Sequence, residues 1–341
     1  MYRQPPKAVL ARITNMVQRA LASGDYDGAI WLEGSPRVEE TIYWLSLLID
    51  TTVPIVGNAA QRPHGQVSSD GDRNIIDAVD YIVSGIWADA NGRDRIGAVL
   101  AQDERVFAAR EVQKADARPG GYTVTGGHGG LVASMGDPGP PALTFIPARR
   151  HTSTSLVSTR HLPERVLGVR REDGRIALVP VQVKDDQGDL LPGAIPHVAI
   201  VKEGSYLVDD RAGDPSWQVD VLGQIDLNLQ AAPLAGFVLE GLAPYGISTT
   251  SSRDAALERA VLSGMPVVTV GRGNNEGFTQ PRGLFIGGNN LTATKARLLL
   301  MACLLRLGGL PPAADPSRPT PAERTAIQTK LAEYQRVFDT H

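Results

Sequence analysis

One pattern limits this chain more than any other. Short apolar runs alternate with loops rich in Gly, Pro and polar groups, and with amphipathic segments of helical period. Gly28-Ala-Ile-Trp-Leu-Glu33 predicts a buried strand and Val38 to Ile49 a helix. Val53-Pro-Ile-Val-Gly57 predicts a second strand, and Asp70 to Val83 a second helix with Asp70 as its cap. Ile96-Gly-Ala-Val-Leu-Ala101 predicts a third strand. Ahead of the first strand, Val9, Leu10, Ile13, Val17 and Leu21 mark a helix over Lys7 to Leu21. Strands alternating with helices predict a parallel sheet covered on both faces.

The rhythm breaks from Pro119 to Pro147, where Gly and Pro are dense and short β segments such as Ala142 to Ile146 dominate. Between Arg160 and Pro196, polar clusters flank Ile176-Ala-Leu-Val179, as in a hairpin-like insertion. Strands then return at Val198 to Val201, Pro233 to Leu239 and Val267 to Val270, with helices over Ser252 to Ser263 and Thr292 to Leu307. Pro311 to Pro321 is a spacer before a last helix ending at Phe338. The expected architecture is two α/β domains, a larger N-terminal parallel-type sheet with flanking helices and a smaller C-terminal one. Residues 1–160 form the first and 197–310 the second. Residues 161–196 are the linker with its insertion, and 311–341 the spacer and final helix.

Composition narrows the function. Thirty-four Lys+Arg against 37 Asp+Glu give a net charge of −3. No basic excess exists to neutralise a phosphate backbone, so nucleic acid is not an expected partner. A single cysteine, Cys303, excludes an intrachain disulfide framework and a Cys-based zinc site. The apolar run Leu298 to Leu305 is too short to cross a bilayer. Pro5, Pro6 and polar residues occupy the place of a signal peptide's apolar stretch. A cytoplasmic protein with no membrane partner is the expectation. No Gly-x-Gly-x-x-Gly follows the first strand and no Walker lysine motif occurs, which argues against a nucleotide site. His64, His128 and His151 are too scattered for a local metal motif, and no cofactor is expected.

Open α/β sheets bind ligands beyond the carboxyl ends of their strands. Five loops there are rich in small and polar groups. They are Glu33-Gly-Ser-Pro-Arg37, Gln61 to Gly71, Gln102-Asp-Glu-Arg105 leading to Lys114, Glu240 to Gly246, and Gly271-Arg-Gly-Asn-Asn-Glu-Gly277. Any one of them alone reads equally as a turn that uses Gly, Pro, Ser and Asp for backbone reasons.

Taken in order, Glu33-Gly-Ser-Pro-Arg-Val-Glu-Glu-Thr41, Gln61-Arg-Pro and Ser68-Ser-Asp-Gly71 resemble the bacterial asparaginase/glutaminase amidohydrolase family. That family carries a His-Gly-Thr-Asp-Thr-Met-Glu-Glu-Thr segment, then Arg-Pro and a Ser-x-Asp-Gly helix start. Arg105 to Lys114 resembles the stretch ending in the family's catalytic lysine, and Pro147-Ala-Arg-Arg-His-Thr-Ser153 its Pro-x-Arg-Lys-His-Thr segment. Pro266 to Val270 and Lys295 to Leu300 resemble the last strand and last core helix of its second domain. The likeness spans most of residues 7 to 309 outside the insertion.

The resemblance implies Ser35 and Lys114 as catalytic residues, in the places of the family's Thr and Lys. The family's Asp, which holds the substrate ammonium, is replaced by Pro36, and its preceding His by Glu33. Arg37 beside them brings the opposite charge. Gly34, Glu33, Arg37 and Gln61 are the expected substrate-binding residues, joined by Asn275 and Glu276 from the polar loop of the second domain. The family's opening strand and Thr-Gly-Gly-Thr-Ile turn have no counterpart here. Thr125-Gly126-Gly127 echoes that turn but lies far downstream. A hydroxyl needs a neighbouring base to become nucleophilic, and Lys114 is that candidate. Ser35 equally closes a tight turn with Gly34 and Pro36.

The resemblance thus implies an amidohydrolase acting on an amide or related acyl bond, diverged from L-asparagine. Its ligand would be a small amide or carboxylate-bearing molecule, and its state a homo-oligomer, dimer or tetramer, as in the family. The alternatives are a catalytically inactive homologue that binds a small molecule or regulates, and one chain of a split enzyme whose second chain supplies the missing strand.

Overall fold

The computed structural model describes residues 6–124, 130–136, 139–205, 213–243, 245–248, 250–273 and 279–341. It divides into two compact units, Thr14–Arg160 with His341, and the residues up to Ile13 with His161–Thr340.

In the first unit the elements are α1 (Val9–Ala22, which crosses the boundary), β1 (Ala29–Leu32), α2 (Val38–Leu48), β2 (Ile55–Asn58), α3 (Gly71–Ser84), β3 (Val99–Gln102), β4 (Arg105–Ala108), β5 (Val112–Lys114), β6 (Tyr122–Val124), β7 (Leu131–Ser134) and β8 (Ala142–Leu143). A six-stranded sheet runs β1-β2-β3-β4-β7-β8. Only β1, β2 and β3 pair in parallel, while β3–β4, β4–β7 and β7–β8 are antiparallel. The sheet expected from the sequence to be parallel is therefore mixed. The cause is a two-residue reversal: Asp103 and Glu104 sit at φ 54° and 58° between the paired Gln102 and Arg105. Left-handed backbone at both central positions matches the twist of a tight hairpin.

Strand alternation sorts the core onto two faces. Val99, Ala101, Val106 and Ala108 pack with Tyr81, Trp87 and Val56 on one. Leu100 and Phe107 point the other way, to Val38, Val112 and Tyr122. The separate ribbon β5–β6 is anchored to the sheet through that second cluster.

In the second unit, β9 (Arg165–Glu172) and β10 (Arg175–Gln182) form an antiparallel hairpin. They are followed by β11 (His197–Lys202), α4 (Val219–Ala231), β12 (Ala235–Gly241), α5 (Ser251–Leu262), β13 (Val267–Gly271), β14 (Ile286–Gly287), α6 (Ala293–Leu307) and α7 (Pro321–Thr340). The sheet β11-β12-β13-β14 is parallel throughout. Helix α6 is buried along Leu298 to Leu305, and the hydroxyl of its N-cap, Thr292, accepts the Lys295 N–H at 3.3 Å. Helix α4, which the sequence reading passed over, buries Val221, Ile225, Asn228 and Leu229. Among the described residues no helix is long and apolar enough to cross a membrane.

Candidate active site

Strand β1 ends at Leu32, and the chain turns through Glu33 to Arg37 into α2. The turn closes on the Gly34 carbonyl, which accepts the N–H groups of Arg37 at 3.0 Å and Val38 at 3.3 Å. Ser35 lies at its apex and is buried.

Lys114 ends β5, and across the ribbon it faces Tyr122. Three hydrogen bonds fasten this ribbon to the turn. Lys114 Nζ meets Ser35 Oγ at 2.6 Å. The Lys114 backbone N–H donates to the carboxylate of Glu39 in the first turn of α2. The Tyr122 hydroxyl donates to the Ser35 carbonyl at 2.6 Å. Burial, with the negative charges of Glu39 and Asp70 nearby, pushes the Tyr122 hydroxyl far above its ordinary pKa, so it stays a donor. Residues 79 positions apart are thereby brought within hydrogen-bond reach by their surroundings as well as by each other.

Glu33 and Arg37 form an ion pair at 3.4 Å, and Glu33 also accepts the Trp31 indole N–H at 3.0 Å. Gln61 donates its amide to the Asp116 carbonyl at 3.0 Å, while its Oε1 is buried with no partner among the described residues. Asn275 and Glu276, like Thr125 to Gly127, lie outside the described residues.

Asp70 departs from its expected role. It precedes α3, but its side chain makes no cap hydrogen bond to the helix. Its carboxylate instead accepts the N–H groups of Gln61 and Arg62 and the amides of Asn74 and Gln102. The Gln61–Gly71 loop folds back over it, and satisfying that loop's N–H groups outweighs capping. Burial alone would raise the Asp70 pKa, but the donated hydrogen bonds hold it below the ordinary value. A folded-state pKa below the unfolded one stabilises above the unfolded value, about 3.9, and is lost as pH falls through the folded one. In urea titrations, the stability gap between wild type and Asp70→Asn is therefore expected to narrow from pH 6 to pH 3. A gap that holds constant would contradict this assignment.

Glu39 and Tyr122 were not singled out from the sequence. Glu39 stands in the quoted Glu-Glu-Thr segment, in the first turn of α2. Tyr122 gave no signal until the β5–β6 pairing was known.

Two α/β units with polar loops after their strands form an asparaginase-like fold. The structure matches that of a probable cytoplasmic L-asparaginase from Campylobacter jejuni with a TM-score of 0.66, at 20% identity, over 98% of this chain and 81% of that one. The family model described as Asparaginase, N-terminal, matches residues 6–120. L-asparaginase 2 of Bacillus subtilis is 25% identical over 307 residues, 87% of this chain and 66% of the relative. L-asparaginase of Bacillus licheniformis is 35% identical over 108 residues, 32% of each. The chain spans about two thirds and one third of the lengths of these two relatives. Residues 6–120 thus match the N-terminal asparaginase model, and the fold as a whole is similar to that of an asparaginase.

Proposed function

We propose that this protein is an amidohydrolase that cleaves an amide or related acyl bond in a substrate other than L-asparagine. The reading is carried by the 2.6 Å approach of Lys114 Nζ to Ser35 Oγ. In its unprotonated form the Lys114 amine takes the proton of Ser35, or of a water beside it, as the oxygen attacks the carbonyl carbon. The resulting oxyanion needs donors. Pro36 has no N–H, and those of Arg37 and Val38 are committed to the Gly34 carbonyl. The donors are then the Gly34 and Ser35 N–H groups.

Pro36 supports a substrate without a free α-ammonium, because it offers neither charge nor acceptor. Arg37 meets a substrate anion by exchanging its contact with Glu33. Gln61, whose Oε1 is buried, remains assigned to the substrate on sequence alone, as do Asn275 and Glu276. In this reading the protein is a cytoplasmic homo-oligomer. The test is ammonia release by purified protein from asparagine, glutamine and a panel of amides lacking the α-amine. Turnover of the last group above the first two supports the proposal. Ligand-induced thermal stabilisation without turnover on any amide would instead favour the inactive binding homologue.

The split-enzyme reading has one observation of its own. Strand β1 is an edge of the six-stranded sheet, with Leu32 60% exposed. Edges with exposed apolar residues are normally covered. If a second polypeptide pairs there, native mass spectrometry of protein purified from its source shows a stoichiometric short chain. The mass of this chain alone, or of its homo-oligomers alone, would end that reading.

A further inference from the structure

The β9–β10 hairpin borders an open groove that the amidohydrolase reading does not use. Its pairing places Arg165, Leu167, Leu178 and Pro180 on one face, since Leu167 lies opposite Pro180 and Leu178 opposite Val169. Leu167 and Leu178 are 51% and 43% exposed. Facing them are Leu307 and Arg306 at the end of α6, and Lys330 of α7. Together they line an open groove of about 530 Å³, a volume in the roughly 300–1,000 Å³ range of small-molecule sites.

The walls are fixed rather than adventitious. The Gly309 N–H donates to the Leu167 carbonyl at 2.7 Å, and the Val169 N–H to the Pro233 carbonyl at 2.8 Å. Any side chain at Gly168 would place its Cβ 2.6 Å from the Pro233 oxygen, and one at Gly308, where φ is 75°, 2.5 Å from the Leu167 oxygen. These close backbone approaches hold the hairpin against the end of α6.

The charges are one-sided. Every charged residue lining the groove is basic, in a chain whose net charge is −3. Among the described residues neither Arg165 nor Arg306 forms an ion pair: Arg165 contacts only the Gln182 amide oxygen, at 2.5 Å. Lys330 is bound on one side to Glu333 at 2.8 Å. The half-buried Arg306 also lies close enough to Lys184 for the two to repel, with Glu164 nearby as a partial counterweight. The half-buried Arg306, which has no ion pair among the described residues, is the cation that an incoming anion would satisfy. Leucine and proline walls add that its other end is apolar.

We propose that this groove binds a small amphipathic carboxylate, its headgroup between Arg306 and Arg165 and its alkyl chain along Leu167, Leu178 and Leu307. The experiment is calorimetric titration of the full chain with octanoate, with octanamide (same tail, no charge) and acetate (same charge, no tail) as comparators. Octanoate is expected to bind one per chain, at least tenfold more tightly than either comparator. Arg306→Gln and Leu178→Asp are each expected to weaken it at least tenfold. Both positions face solvent in part, and circular dichroism identifies a variant that has not folded. Absence of saturable octanoate binding, equal binding of octanamide, or affinity unchanged in both folded variants would overturn the proposal. None of these outcomes depends on ammonia release, so this site stands or falls apart from the amidohydrolase reading.

Discussion

Ser35→Ala and Lys114→Met are each expected to lower kcat/KM for the best amide of the panel by at least about 100-fold, the range spanned by loss of a general base or its nucleophile. The double variant should be little worse than either single one. A hydroxyl and an amine 2.6 Å apart act as a unit, and removing one leaves the other without a task. Ser35 loses only its hydroxyl, Lys114 is half-buried, and the Glu39 and Tyr122 bonds to the ribbon and turn remain, so unfolding midpoints should stay near the wild-type value. Steady-state ammonia release and thermal melts check this together. A variant that folds and retains more than a tenth of the activity would remove its residue from the chemistry.

Trp44→Ala is expected to cost about 3–5 kcal/mol. Trp44 lies in the middle of α2, is fully buried, and donates its indole N–H to the Thr14 hydroxyl at 2.8 Å. Truncation removes that bond and leaves a cavity that the neighbouring Leu45, Leu47 and Leu48, themselves buried, have little freedom to fill. For a unit of this size the loss corresponds to a fall in Tm of roughly 10 °C. Calorimetry measures it directly. A fall under about 2 °C would show that α2 does not carry the stability its burial suggests.

Most helices and parallel strands could be read from the sequence to within two or three residues at either end. Val38–Leu48 and Val267–Gly271 are examples. Their apolar residues follow one period without interruption, and Gly or Pro stands near their ends. Helix α4 was not legible because two periods compete in it. Val219 and Val221, then Leu227 and Leu229, alternate as in a strand, and Gly223 interrupts. Its buried set, Val221, Ile225, Asn228 and Leu229, is a helical stripe that only packing reveals. The β3–β4 reversal was hidden for another reason. Asp103 and Glu104 carry the left-handed backbone that hairpin signals assign to Asn and Gly.

That reversal matters for the site. A helix after β3 would have continued the parallel order, whereas the hairpin sends the chain back through β4 and into the ribbon that bears Lys114. Ser35 and Lys114 were legible only through the order of motifs along the chain, because no local pattern marks two residues that meet 79 positions apart. Glu39 and Tyr122, which hold them in register, needed the coordinates.

The three-point fastening of the ribbon holds Ser35 independently of the side chains that follow it. Ser35 is gripped through its carbonyl and its hydroxyl by groups borne on β5 and β6, not by its immediate neighbours Pro36 and Arg37. On the reading proposed above, side-chain changes at those two positions alter which molecules are admitted while the Ser35–Lys114 spacing is kept.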